Sequence, residues 1–171
     1  MEKGYIQIYT GNGKGKTTAA IGIAVRALLS EKKVFIGQFV KDMKYNETKL
    51  TEHFDEIEIE QLGIGCFITN TPTEKDIQAA ISGLKLCNEK LSSGEYDLVI
   101  LDEIFIAIYF ELLPTEDVVK VLKNKAKSTE IVLTGRYAPK ELIHIADLVT
   151  DMTEVKHYYT QGVLSRDGFD H

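Results

Sequence analysis

The chain has 171 residues, with 20 Lys and Arg against 26 Asp and Glu, a net charge of −6. Hydrophobic residues make up 44% and charged residues 27%, as in an ordinary globular domain. The acidic balance counts against nucleic acid as a partner, because phosphate backbones are bound mainly through Lys and Arg.

This length predicts one domain, residues 1–171, large enough to fold without a disulfide or metal staple. The cysteines are Cys66 and Cys87, and their spacing suits no zinc site. No apolar stretch approaches the roughly 18 residues of a membrane span, and the first residues show no signal-peptide pattern. The expectation is a cytoplasmic protein that does not engage a membrane.

Short apolar runs alternate with longer helical stretches. Tyr5 to Tyr9 reads as a strand and runs into a glycine-rich turn. Residues 16–30 carry Ala20, Ile23, Ala24, Ala27 and Leu28 at helical spacing. Residues 33–40 read as a second strand, 46–54 as a short helix and 56–62 as a third strand. Thr73, with Asp76 three positions on, is a weak capping box for a helix running to about Leu91 and stopping near Gly94. Residues 96–101 are almost unbroken in apolar side chains, which suits a strand buried on both faces. Helices follow from Ile104 and from Pro114 to about Lys125, then a strand at 130–134. A helix from Pro139 to about Ile145 and a strand at 148–152 complete the pattern. The alternation predicts an α/β fold, a P-loop NTPase-like sandwich with a mainly parallel central sheet flanked by helices.

The strongest motif lies between the first strand and the first helix, Thr10-Gly11-Asn12-Gly13-Lys14-Gly15-Lys16-Thr17-Thr18. Glycines there let backbone N–H groups turn towards one anion, and the helix start adds partial positive charge. In this arrangement Lys16 reaches phosphate oxygens and the Thr17 hydroxyl ligates magnesium. Compared with G-x-x-x-x-G-K-[ST], Thr10 stands where the first glycine belongs, so the loop is one residue short. Lys14 is an extra charge within it. The partner element is Leu98-Val99-Ile100-Leu101-Asp102-Glu103, an apolar strand ending in two acids that can hold Mg²⁺ directly or through water.

These residues indicate a magnesium nucleoside triphosphate without fixing which bond breaks. Water attack would make an ATPase, with Glu103 positioning the water. Attack by a substrate hydroxyl would make a small-molecule kinase. Attack at the ribose 5′ carbon would release the whole triphosphate. A non-catalytic nucleotide switch is a further possibility.

YTGNGKGKTTAAIG at 9–22, GQFVKD at 37–42, DLVILDEI at 97–104, IVLTGR at 131–136 and the block at 141–170 together resemble the P-loop type ATP:corrinoid adenosyltransferases, the cob(I)alamin adenosyltransferase family. The resemblance spans nearly the whole chain and includes the short loop. It implies that a reduced Co(I) corrinoid attacks C5′ of ATP, giving an adenosyl-corrinoid and triphosphate. In the family ATP lies reversed in the loop, leaving C5′ exposed. The implied catalytic residues are Lys16, Thr17 and Glu103. Gly11 to Thr18, Lys41 and Arg136 are the implied nucleotide-binding set, with a solvated lysine at Lys41 and a structural salt bridge at Arg136 as the alternative readings. Thr17, Asp102 and Glu103 are the implied magnesium set. Asn46 and Glu47 lie where the family has a pair near the nucleotide. Lys156, His157 and Arg166 sit in the C-terminal block, where a packing role for the histidine is the simpler expectation.

The resemblance also implies an electron donor such as a flavoprotein reductase, and a homodimer. Two departures bear on the corrinoid. Only four residues precede the first predicted strand, so the N-terminal helix that covers the corrinoid in better-known members is expected to be missing. The chain has no Trp, which leaves Phe67, with Ile68, as the candidate aromatic face for the corrin.

Overall fold

The computed structural model describes residues 2–41, 45–64 and 72–170. Six strands form one sheet: β1 (Ile6–Thr10), β2 (Val34–Gln38), β3 (Ile57–Gln61), β4 (Leu98–Asp102), β5 (Glu130–Thr134) and β6 (Leu148–Asp151). Their order is β3-β2-β4-β5-β1-β6, and every pairing is parallel. The expected mainly parallel sheet is therefore wholly parallel among the described residues. Parallel strands need crossovers, and helices supply them: α1 (Lys16–Leu28), α2 (Glu74–Ser93), α3 (Ile104–Tyr109), α4 (Thr115–Lys123) and α5 (Lys140–Ile145).

The unbroken apolar run of β4 is explained by burial on both faces. Leu98 and Ile100 pack in one cluster with Ala20, Ala24 and Leu28 of α1. Val99 and Leu101 pack in the other, with Ala80, Leu84 and Cys87 of α2 and Val118 of α4. Alternate side chains thus meet helices on opposite sides, giving a three-layer sandwich.

Most elements end close to their expected bounds. Helix α1 stops at Leu28 and α4 at Lys123, each two residues short. Residues 46–52 form a 3₁₀ turn rather than an α-helix. Thr73 and Asp76 do form a full capping box, each side chain bonding the other's backbone amide.

Because all six strands run in one direction, their C-terminal ends share one edge of the sheet. Thr10, Gln38, Asp102 and Thr134 each close a strand on that edge. In open parallel sheets that edge is where ligands bind.

Candidate functional site: a phosphate loop and an acidic strand end

The loop after β1 is shaped by its glycines and by the far end of the chain. Gly11 has φ +98° and Gly15 φ +118°, both in the region that favours glycine. Gly13 N–H donates to Met152 O at 2.7 Å, and a Cβ on Gly13 would lie 2.5 Å from that oxygen. Asn12 Oδ1 accepts from Glu154 N–H at 3.0 Å.

Lys16 opens α1 and is 7% exposed. Its ammonium donates to Gly11 O at 2.9 Å and Gly13 O at 2.7 Å, so the loop wraps around it. Burial holds this lysine below its ordinary pKa, while Glu103 pulls the other way. A phosphate entering the loop would meet an ammonium held by carbonyls that it can leave.

Asp102, at the end of β4, is 1% exposed and receives four donors. Thr17 Oγ1 and Thr134 Oγ1 donate to its Oδ1 at 2.8 and 2.7 Å. Lys41 Nζ and Gln38 Nε2 donate to its Oδ2 at 2.7 and 3.3 Å. Burial raises the Asp102 pKa, but Lys41 and the hydroxyl bonds outweigh it and hold the group below the ordinary range. Burial likewise depresses Lys41, and the Asp102 charge more than restores it. Lys41 is therefore a half-buried ion-pair partner of Asp102, not a solvated lysine. Glu47 Oε1, 3.8 Å from Lys41 Nζ, also accepts from Gln38 at 3.0 Å.

Glu103 has different surroundings. Its backbone is left-handed, with φ 58° and ψ 24°, and its N–H donates to Thr134 Oγ1 at 2.9 Å. Such a conformation costs roughly 1–3 kcal/mol in a residue with a side chain and gathers at functional sites. Among the described residues its carboxylate accepts no hydrogen bond. Burial first, and the charge of Asp102 second, push its pKa above the ordinary value.

The donor set fits a hard cation. Thr17 gives its proton to Asp102, which leaves the lone pairs of its hydroxyl oxygen for a metal. The Asp102 oxygens are occupied, whereas the Glu103 carboxylate is open. No cluster of three or more His, Cys, Asp or Glu occurs among the described residues. Phosphate oxygens and water would complete the shell, as magnesium prefers.

Three cavities meet at Glu103 and Arg136. One, of about 360 Å³, is lined by Gly13, Lys14 and Lys16 of the loop and by Tyr158. A second, of about 830 Å³, lies between Thr17, Thr18 and Ile21 on one side and Tyr45 to His53 on another. A third, of about 440 Å³, is floored by Ile106, Tyr109, Phe110 and Tyr137. Tyr109 and Tyr137 stack there at 4.3 Å between centroids and are more than half exposed. Arg136 is exposed and forms no ion pair among the described residues.

The chain matches the family described as ATP:corrinoid adenosyltransferase BtuR/CobO/CobP over residues 2–171. The chain belongs to that family. Its members transfer the adenosyl group of ATP to a corrinoid, and this chain is an enzyme of that class. A corrinoid adenosyltransferase of Escherichia coli (strain K12) is 34% identical over 171 residues, covering 99% of this chain and 87% of the relative. Corrinoid adenosyltransferase CobA of Salmonella typhimurium is 33% identical over the same shares. A corrinoid adenosyltransferase of Pseudomonas aeruginosa is 31% identical, covering 99% of this chain and 84% of the relative.

Gly13, Lys14, Lys16, Thr17, Thr18, Lys41, Glu103 and Arg136 line adjoining cavities. Asp102 lies buried behind them, bonded to Thr17 and Lys41. Gly11, Asn12 and Gly15 belong to the same loop without lining either cavity. Phe67 and Ile68 lie outside the described residues. His157 caps a 3₁₀ turn at Tyr158–Gln161, tilts against Tyr158, and also lines the cavity beside the phosphate loop. Gln38 and Thr134, which complete the Asp102 network, were not singled out from sequence. A polar residue ending a buried apolar strand was the available signal for both. No helix among the described residues is long and apolar enough to cross a membrane.

Proposed function

We propose that this chain joins C5′ of ATP to the Co(I) of a reduced corrinoid at the meeting point of the three cavities, releasing triphosphate. The observation that carries this is that a cavity against the phosphate loop and a cavity with an aromatic floor share Glu103 and Arg136 as walls. The loop takes the triphosphate, and the Tyr109–Tyr137 floor lies on the side from which a flat corrinoid approaches. The Co(I) lone pair forms the Co–C bond, the C5′–O bond breaks, and triphosphate leaves with that electron pair. No proton moves, so no general base is needed.

The work left to the protein is charge and alignment. Lys16 and the loop amides meet the charge that grows on the leaving oxygen. Arg136 stands at the mouth of all three cavities and aligns triphosphate with C5′. Thr17 and Glu103 would hold magnesium, with Asp102 orienting Thr17. When bound, that ion neutralises charge on the leaving triphosphate. An external electron donor, such as a flavoprotein reductase, delivers the corrinoid as Co(I), and the enzyme works as a homodimer in the cytoplasm.

Anaerobic incubation with Mg-ATP, cob(I)alamin and excess reductant tests this. Triphosphate and a light-sensitive adenosyl-corrinoid are expected in equal amounts. ADP or orthophosphate formed without any dependence on corrinoid would overturn the proposal and indicate an ATPase.

A further inference from the structure

The segment after β6 returns across the phosphate loop, where Phe169 and Asp170 meet Lys14. Lys14 Nζ donates to Phe169 O at 2.6 Å and to the Asp170 carboxylate. Tyr158 Oη donates to the same carboxylate oxygen as Lys14. Arg166 reaches the other oxygen through its backbone N–H and its Nε, both at 3.0 Å. The Arg166 guanidinium is steadied over the Tyr158 ring, 4.6 Å from the centroid. Asp167 accepts from Asn46 at 2.6 Å, which ties the segment to the opposite wall of the cleft.

Two cationic side chains, a phenol and a backbone amide converge on one carboxylate. That is the donor set a phosphate group takes. Asp170 also lies on the border of the two cavities nearest the loop. A triphosphate there would stand beside a like charge, and the unit with more charge and more acceptor oxygens wins the donors.

We propose that Lys14, Tyr158 and Arg166 form a phosphate subsite of the triphosphate pocket, and that Asp170 is a built-in competitor filling it until the nucleotide arrives. This rests on the phosphate-loop reading given above. Nucleotide binding displaces Asp170, and triphosphate release lets the carboxylate return. The returning carboxylate assists departure of a product that would otherwise hold to the loop.

Titration calorimetry of the full chain with inorganic triphosphate tests this independently of corrinoid. Asp170→Asn should bind about fivefold or more tightly than wild type, because the competent state no longer has to be freed first. Tyr158→Phe or Arg166→Gln, added to Asp170→Asn, should weaken binding again. Equal or weaker binding by Asp170→Asn would make Asp170 a mere fastener for Lys14 and overturn the proposal. No binding of triphosphate by wild type would overturn the phosphate-loop reading along with it. Hydrogen exchange on the unmodified chain gives a second measurement. The amides of Phe169 and Asp170 donate to Arg166 O at 3.2 and 2.8 Å. They should exchange faster when triphosphate is added, and slower exchange would refute displacement.

Discussion

Lys16 and Thr134 show two ways a single residue serves the cleft. Lys16 holds its ammonium among loop carbonyls, within reach of an incoming phosphate. Lys16→Ala should lower adenosyl transfer by at least about 10²-fold, the usual cost of one lost charge-stabilising donor. The thermal melt should stay cooperative, since the lysine starts a helix rather than filling the core. Unchanged turnover would contradict its phosphate role. Thr134 is fully buried, donates to Asp102 and accepts from Glu103 N–H. Thr134→Val leaves that amide without a partner, at a cost of about 1–3 kcal/mol. Urea denaturation should show the loss, and Thr134→Ser should recover most of it along with activity. Lys16 and Thr17 were legible from sequence because loop and helix are contiguous. Thr134 was not, because its role depends on β5 lying between β1 and β4 in the sheet. Strand order is a property of long-range packing that local pattern does not carry.

Among elements, those defined by local rules were the most legible. The capping box of α2 needs only Thr73 and Asp76, three positions apart. The buried strand β4 needs only its apolar run. The loop after β1 is different. Its glycine spacing was visible, but its curvature is set against β6 and the residues that follow. Gly13 sits so close to Met152 O that no side chain fits without moving backbone. Gly13→Ala should therefore reshape the loop and raise the KM for ATP by an order of magnitude or more, while the sheet stays intact. A KM within twofold of wild type, with unchanged stability, would show that the loop tolerates the displacement. Lys14 was legible as an additional charge. Its pairing with Asp170, 156 positions away, was not.

At the scale of the molecule, a protein of net charge −6 must hold one of the most highly charged small anions it could meet. Lys14, Lys16 and Arg136 line one hollow beside the loop. Outside that hollow, the acidic balance repels the same ligand. Attraction between exposed charges falls within a Debye length of about 10 Å at 0.1 M salt. The KM for ATP should accordingly rise with ionic strength, whereas the KM for a neutral corrinoid should change little. Parallel titrations of the two substrates with potassium chloride would check this, and equal salt dependence would count against a local cationic hollow.

The contact between Asn12 and Glu154 joins residues 142 positions apart. A nascent chain therefore exposes its glycine loop to cellular nucleotide long before the wall that moulds it has been synthesised. The loop acquires its curvature only when the last strand docks beside the first. Nucleotide affinity is thus a property that the loop sequence alone does not carry, and ATP binding offers a direct signal that β6 and the residues after it have docked.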